Sequence, residues 1–350
     1  MKTSRFLLYA AVALAICSCG TSTSFQNPVW PENRPDPTAI FNEEDGYYYC
    51  YATGWNSPFI RSKDLCNWEN TDIRPFTEET VAQLKELGQS CWAPQFAKIG
   101  DTYMLYLTIR SSCPDSRIVA TASESLLGPY EFTGVVTDGL VTGIKDTIDP
   151  FVFTDEATGK VWLVFGSVGG IHQVELNAEG TAVAEGSQYR HIAGEDVDND
   201  SSRLSVFEGS YVYRHDGWWY LFCSAGRYND YSYAIVTGRS RDVEGPYMTR
   251  DGKPMTEGNG TVVLSTSPYE HFYGPGHDGE IFTGKGGKTY MIYHVHAGDF
   301  RKDKDSGYIP RPMNLQRVYW DNEGWPYMKN EEMQGGKVVL SRHSLDRRRK

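Results

Sequence analysis

Five times along this chain a glycine is followed by a run in which most residues are aromatic or aliphatic. The copies are Gly46 with YYYCYATG, Gly100 with DTYMLYLTIR, Gly159 with KVWLVFGS, Gly217 with WWYLFCSAG and Gly287 with KTYMIYHVHAG. Successive glycines stand 54, 59, 58 and 70 residues apart. Near-continuous apolar runs bounded by turn residues are the mark of strands covered on both faces. A second apolar segment leads into each turn, as PTAIFN does before Glu43-Glu44-Asp45-Gly46, and FIRSKDL and NWENTD complete the first copy. The turns EEDG, DEATG and RHDG fall where hairpins belong. Each copy therefore has room for four strands. A sheet that packs only on neighbours like itself must repeat until the ring closes, so the pattern predicts an all-β, five-bladed β-propeller over 28–345. A sandwich followed by a second β domain does not account for the even spacing. One stretch breaks the pattern: TEETVAQLKEL predicts a short surface helix over Glu78–Leu87 with Thr77 as its cap.

A residue suited to chemistry precedes each repeat glycine at nearly the same distance. Asp36, Asp149 and His277 each stand 10 residues before theirs, Glu208 stands 9 and Trp92 stands 8. Equivalent positions in a radial repeat fall on a ring, so these five side chains are expected around one channel mouth. Glycoside hydrolysis needs two carboxyl groups on opposite sides of the anomeric carbon, one to protonate the leaving oxygen and one to attack or to activate water. A third carboxyl can hold the acid's proton by like-charge repulsion. Asp36, Asp149 and Glu208 meet that requirement. A lone Asp-Pro is ordinarily a turn, and it is the matched offsets that carry the inference. Trp92 offers a face on which a sugar ring can stack, and Trp55 and Ser167 end strands near the same rim as further substrate-binding candidates.

The charge balance changes the list of partners. A net charge of −11 excludes a nucleic-acid groove. The N-terminus carries Lys2 and Arg5, then the apolar run Phe6 to Ile16, then small residues, which predicts an export signal over 1–18. Ile16-Cys17-Ser18-Cys19-Gly20 is similar to a bacterial lipobox, so Cys19 is the expected lipidated residue of a cell-envelope lipoprotein, with 19–27 as a polar tether. The basic ending Arg347-Arg348-Arg349-Lys350 is read as a solvated tail. Beyond Cys19 the chain has Cys50, Cys66, Cys91, Cys113 and Cys223, none in CxxC spacing. Cys91 and Cys113 either pair in an oxidising compartment or serve as small apolar residues. The acidic run Glu195, Asp196, Asp198 and Asp200 is either a calcium loop or a solvated one, without EF-hand spacing. The protein is expected to be a monomer.

RPDPTAIF, SKDLCNWE, WAPQF, TIDPFVF, FGSVGGIHQVEL, FEGSYVYRHDGWWYLFCSAG, GPGH and YWDNEGWPYM together resemble glycoside hydrolase family 43, from about Asn27 to Met328. FGS with GGI, and YSYAIVTGRS with GPY, are most similar to the arabinanase branch. The resemblance implies an inverting mechanism in which Asp36 is the general base, Glu208 the general acid and Asp149 the group that orients Glu208. Inversion sets a base-to-acid separation of about 6.5–9.5 Å. Retaining relatives carry Arg-Asp-Pro where this chain has Ile148-Asp149-Pro150. Arg311 matches the family's arginine near the bound sugar; His277 either matches a histidine that helps hold a central ion, often Ca2+, largely through water, or is a structural histidine hydrogen-bonded in the channel. Two departures stand out: Ser210 replaces the proline usual after the acid, and Pro35 replaces the histidine usual before the base in arabinanases. The implied activity is cleavage of α-L-arabinofuranosyl linkages, as an arabinan endo-1,5-α-L-arabinosidase. The alternatives are an exo-acting α-L-arabinofuranosidase or β-xylosidase, a catalytically silent carbohydrate-binding propeller, or a protein-binding one.

Overall fold

The computed structural model describes residues 21–195, 206–266, 272–297 and 310–340. The leader with Cys19, the acidic run after Glu195 and the basic ending lie outside the described residues. The chain begins with β1 (Thr21–Gln26). Blade 1 is β2 (Thr38–Asn42), β3 (Tyr47–Tyr51), β4 (Ile60–Ser62) and β5 (Trp68–Asn70), followed by α1 (Glu78–Leu87). Blade 2 is β6 (Ser90–Ile99), β7 (Thr102–Arg110), β8 (Ser116–Ser123) and β9 (Glu131–Asp138), with the single turn α2 (Gly139–Thr142) after it. Blade 3 is β10 (Phe151–Thr154), β11 (Val161–Ser167), β12 (Gly170–Leu176) and β13 (Arg190–Ala193). Blade 4 is β14 (Phe207–His215), β15 (Trp218–Ala225), β16 (Ala234–Ser240) and β17 (Thr261–Ser265). Blade 5 is β18 (Phe272–Thr283), β19 (Thr289–Ala297), β20 (Met313–Trp320) and β21 (Pro326–Tyr327), and β22 (Gly335–Leu340) ends the described chain. Each blade is a four-stranded antiparallel meander, and the whole is a five-bladed propeller.

The apolar runs have a simple cause. In β3, Tyr49 and Tyr51 join a cluster with Phe96, Leu105 and Leu107 of blade 2, while Tyr48 and Cys50 join one with Tyr290, Ile292 and Leu315 of blade 5. Alternate residues thus face alternate neighbours, and both must be apolar. Tyrosine suits these seams because its ring fills a wide gap while its hydroxyl reaches a carbonyl. Tyr106 donates to Gly180 O at 2.8 Å and Tyr130 to Leu126 O at 2.8 Å. The repeat glycines have φ between +58° and +74°, a backbone shape that turns between strands demand and side chains resist. Helix α1 begins where the sequence predicts, with Thr77 Oγ1 accepting from Thr80 N–H at 3.2 Å and Leu84 fully buried beneath it.

One expectation is corrected, and one alternative left open by the sequence is decided. The segment read as a tether is structural from Thr21 onward, since β1 pairs antiparallel with β22. Its Ser/Thr alternation accepts strand geometry, and Phe25 packs on the cluster between blades 5 and 1. The same seam is fastened by Trp30 and Met313, which exchange backbone hydrogen bonds of 3.2 and 3.1 Å. Asn27 adds bonds to Leu315 O (2.8 Å), Leu315 N–H (3.0 Å) and Met333 O (2.9 Å). The first and last segments of the described chain therefore close the ring. Cys91 and Cys113 do not pair. Cys91 is buried, Cys113 is exposed, and both thiols are free.

Candidate active site

The first strand of every blade reaches the channel mouth through a residue in the left-handed region: Asp36 (φ +54°), Ala93 (+40°), Asp149 (+58°), Gly209 (+58°) and His277 (+50°). For a residue other than glycine that conformation costs about 1–2 kcal/mol, least for Asp, Asn and His. Blades 1, 3 and 5 place the predicted residue itself at the kink. In blades 2 and 4 the kink falls one residue later, so Trp92 and Glu208 precede it. The ladder is bulged between Trp92 and Gln95 and between Glu208 and Tyr211, as it also is around His277 in blade 5.

Each kink is held by the blade before it. The amide of Ala93 donates to Thr53 Oγ1 (2.7 Å), that of Asp149 to Thr108 Oγ1 (2.9 Å), that of His277 to Ser224 Oγ (2.7 Å) and that of Asp36 to His294 Nδ1 (3.2 Å). These acceptors were not singled out in the sequence. They stand 7 or 8 residues after their repeat glycines, and Ser167 occupies the same place in blade 3. That second fixed offset was the signal that could have found them. The seam between blades 3 and 4 departs from the pattern. There the Gly209 amide donates to Asp149 Oδ2 at 3.1 Å, and Ser167 Oγ donates to Glu208 Oε2 at 3.1 Å. Ser167, expected to touch substrate, is buried and holds Glu208 instead. Tyr233, also missed, donates from its hydroxyl to Glu208 Oε1 at 2.8 Å and stacks on His294 at 5.8 Å between ring centroids.

The structure brings Asp36, Asp149, Glu208, His277 and Arg311 together. Asp36 Oδ1 accepts from Arg311 Nη1 at 2.7 Å, Oδ2 accepts from Thr53 Oγ1 at 2.6 Å, and His277 Nδ1 and His294 Nδ1 each lie 3.4 Å from Oδ1. Burial alone would raise the Asp36 carboxyl. The Arg311 guanidinium, with His277 and His294, outweighs it and holds the group well below the usual carboxylate range. Burial pushes His294 down to about 3, with Arg311 adding to the effect, and lowers His277 in the same way. Asp149 has the opposite surroundings. Burial first, then the facing Glu208 and Asp36 charges, push its carboxyl well above the ordinary range. The surroundings thus push the two carboxyls in opposite directions, Asp149 towards its protonated form and Asp36 towards its anion.

Trp92 is 37% exposed at the mouth with the Arg110 guanidinium 5.0 Å from its ring centre. Tyr228 is 44% exposed, and its ring centre lies 5.1 Å from the guanidinium carbon of Arg311. Among the described residues no hydrogen bond or ring contact joins Trp55 to the acids. It packs partly buried on the core between blades 1 and 2, with Lys85 of α1 at 5.6 Å from its ring.

The raised Asp149 carboxyl has a measurable consequence. Its contribution to stability is fully present below the unfolded value of about 3.9 and is lost as pH rises through the raised folded value. Asp149→Asn keeps an oxygen facing the Gly209 amide and removes the charge. The variant is expected to melt a few degrees above wild type at pH 8, on a scale of roughly 2–4 °C per kcal/mol. The gap should shrink towards zero near pH 4 in thermal melts across that range.

The model of the glycosyl hydrolases family 43 matches residues 25–326. The extracellular exo-α-(1→5)-L-arabinofuranosidase of Cellvibrio japonicus is 27% identical, covering 84% of this chain and 86% of its own. An extracellular endo-α-(1→5)-L-arabinanase of Bacillus subtilis is 25% identical, covering 92% of this chain and 76% of its own. Among solved structures, the α-L-arabinanase of Cellvibrio cellulosa superposes with a TM-score of 0.72 at 26% identity, covering 86% of this chain and 96% of that one, and it has also been solved with arabinohexaose. With the family model spanning nearly the whole propeller, and three carboxyl groups gathered at one mouth, this chain belongs to glycosyl hydrolases family 43.

Proposed function

We propose that this protein is an inverting hydrolase of α-1,5-linked arabinan, acting within the chain, with Asp36 as general base, Glu208 as general acid and Asp149 as the group that positions Glu208. One observation carries the assignment: Arg311 donates to Asp36 Oδ1 at 2.7 Å and favours its anion, while burial and the facing Glu208 push Asp149, at the same mouth, towards its protonated form. Asp36 then accepts a proton from a water as that water attacks the anomeric carbon. Glu208 gives its proton to the glycosidic oxygen as the carbon–oxygen bond breaks, so atoms and charge balance and the configuration inverts. A hydroxyl can turn from donor to acceptor, so Ser167 and Tyr233 hold Glu208 in either protonation state. Exposed Trp92 and Tyr228, on blades 2 and 4, offer faces on which more than one sugar can stack, which supports binding of an extended chain. The exo-acting relative supports the second reading, release of units from one chain end.

Calcium belongs to this proposal only in a water-mediated form. Among the described residues no three His, Cys, Asp or Glu side chains converge on a cation site. The buried Asp278 beside His277 has two carboxylate oxygens without a hydrogen-bond partner, an unmet demand that a hydrated cation would satisfy. Asp278 and His277 would be its protein groups, and it would supply charge balance. Export and a lipid anchor at Cys19 complete the proposal, supported by the leader sequence and by relatives named as extracellular.

Asp36→Asn and Glu208→Gln are each expected to lower kcat on linear arabinan by about 10²–10⁴-fold; Glu208→Gln should leave Tm nearly unchanged, whereas Asp36→Asn, which leaves the Arg311 guanidinium facing a neutral amide, should lower Tm at neutral pH. Sizing of wild-type products should show mixed oligosaccharides early in the reaction. Arabinose alone from the first minutes would replace the internal-cleavage reading with the exo one, and near-normal turnover in either variant would remove the assigned roles. Chelation by EDTA should lower Tm and calcium should restore it. Fractionation of cells should find wild type with membranes and Cys19→Ser in the soluble fraction.

A further inference from the structure

The end of blade 4 far from the acids carries a second, differently built pocket. Strand β15 runs from Trp218 to Ala225, and its Ser224 meets His277 at the mouth, so Trp218 stands about 20 Å away at the opposite face. There Trp218, Arg239, Arg241, Arg250, Glu323 and Trp325 line an open pocket of about 420 Å³. The Arg239 guanidinium lies between two indoles, 4.3 Å from the Trp218 ring centre and 4.2 Å from that of Trp325. Arg241 stacks on Trp218 at 3.7 Å.

The charges here are unevenly matched. Arg250 is neutralised by Asp321 (2.8 Å) and Glu323 (2.9 Å). Arg239 donates from Nη1 to Glu323 O (2.7 Å) and Tyr220 Oη (3.4 Å), and Arg241 donates from Nη1 to Gly217 O (3.0 Å). These acceptors are neutral, and among the described residues neither arginine meets a carboxylate within ion-pair distance. Three guanidinium groups against the two carboxylates of Asp321 and Glu323 leave this cluster one positive charge in surplus, on a chain whose net charge is −11. Stacking on indole fixes the plane of each guanidinium, and its edge is the part that recognises carboxylate through paired N–H donors.

We propose that this pocket binds a carboxylate-bearing sugar, a uronic-acid unit of an acidic polysaccharide. The volume suits one or two sugar rings, and two arginine edges beside aromatic walls suit a ring that carries an acid. The site would hold polymer on the face away from cleavage. The choice of a saccharide over other carboxylates rests on the hydrolase reading, whereas the anionic character of the ligand rests on the arginines alone.

The test is calorimetric titration with trigalacturonate and with the same trisaccharide after its carboxyls are reduced to alcohols. Wild type should bind the acidic form, more weakly as salt is raised, and give no heat with the neutral form. Arg241→Ala, at an exposed position, should weaken binding about tenfold or more and leave hydrolysis of arabino-oligosaccharides unchanged. No binding at millimolar trigalacturonate, equal binding of the reduced sugar, or wild-type affinity in Arg241→Ala would each overturn the proposal. A glutamate-rich peptide bound as tightly as the uronate would overturn the saccharide assignment. Arabinan turnover is read separately, so failure of this site and failure of the hydrolase reading are distinguishable.

Discussion

Five left-handed kinks, one at the channel end of each blade, decide where the acids stand. Each is unfavourable by itself for any residue but glycine, and each persists because a neighbouring blade takes up its amide. Thr53, Thr108, Ser224 and His294 do this at four seams. At the remaining seam the acceptor is Asp149 itself, through the Gly209 amide. One hydrogen bond there joins the carboxyl with the raised pKa to the turn that carries Glu208. Strain at the mouth is over-determined by the ring, which is how such conformations survive in folded proteins.

Closure also gives the mouth its electrical asymmetry. Arg311 follows the described end of blade 5's second strand, and Asp36 opens blade 1. The backbone bond from Arg34 N–H to Arg311 O (2.9 Å) and the Asn33 side chain, which accepts from the Arg311 amide at 2.8 Å, hold the two segments together. The guanidinium is thereby set against Asp36 across the seam that Asn27, Trp30 and β1 fasten. On the other side of the channel burial, together with the facing Glu208 charge, pushes the Asp149 carboxyl up. Two carboxyl environments of opposite character arise from one repeated backbone shape.

The blade count, the four-strand meander and the α1 helix were legible because each is encoded locally, by apolar runs, turn glycines and a Thr cap. The set Asp36, Asp149 and His277 was legible because a fixed offset from a turn becomes a fixed height in a propeller. Trp92 and Glu208 stand two and one residues short of that offset, and their place just before the kink shows only in the fold. Thr53, Thr108 and Ser224 carry ordinary hydroxyls, and their purpose exists only across a blade seam. Ser167 and Trp55 both end near the rim, and the burial of Ser167 against Glu208 and the half-burial of Trp55 on the core between blades 1 and 2 are tertiary facts. The strand Thr21–Gln26 reads as a polar tether until its partner, more than three hundred residues away, is known.

The account turns on a sugar lying between an anionic Asp36 and a proton-bearing Glu208. A crystal structure of Glu208→Gln soaked with a linear arabino-oligosaccharide tests this most directly. The account predicts an anomeric carbon at the mouth, a water on Asp36 facing it, and the glycosidic oxygen on the opposite side within hydrogen-bond reach of position 208. An oligosaccharide bound away from Asp36, Asp149 and position 208, or seated with its glycosidic oxygen on the Asp36 side, would contradict it.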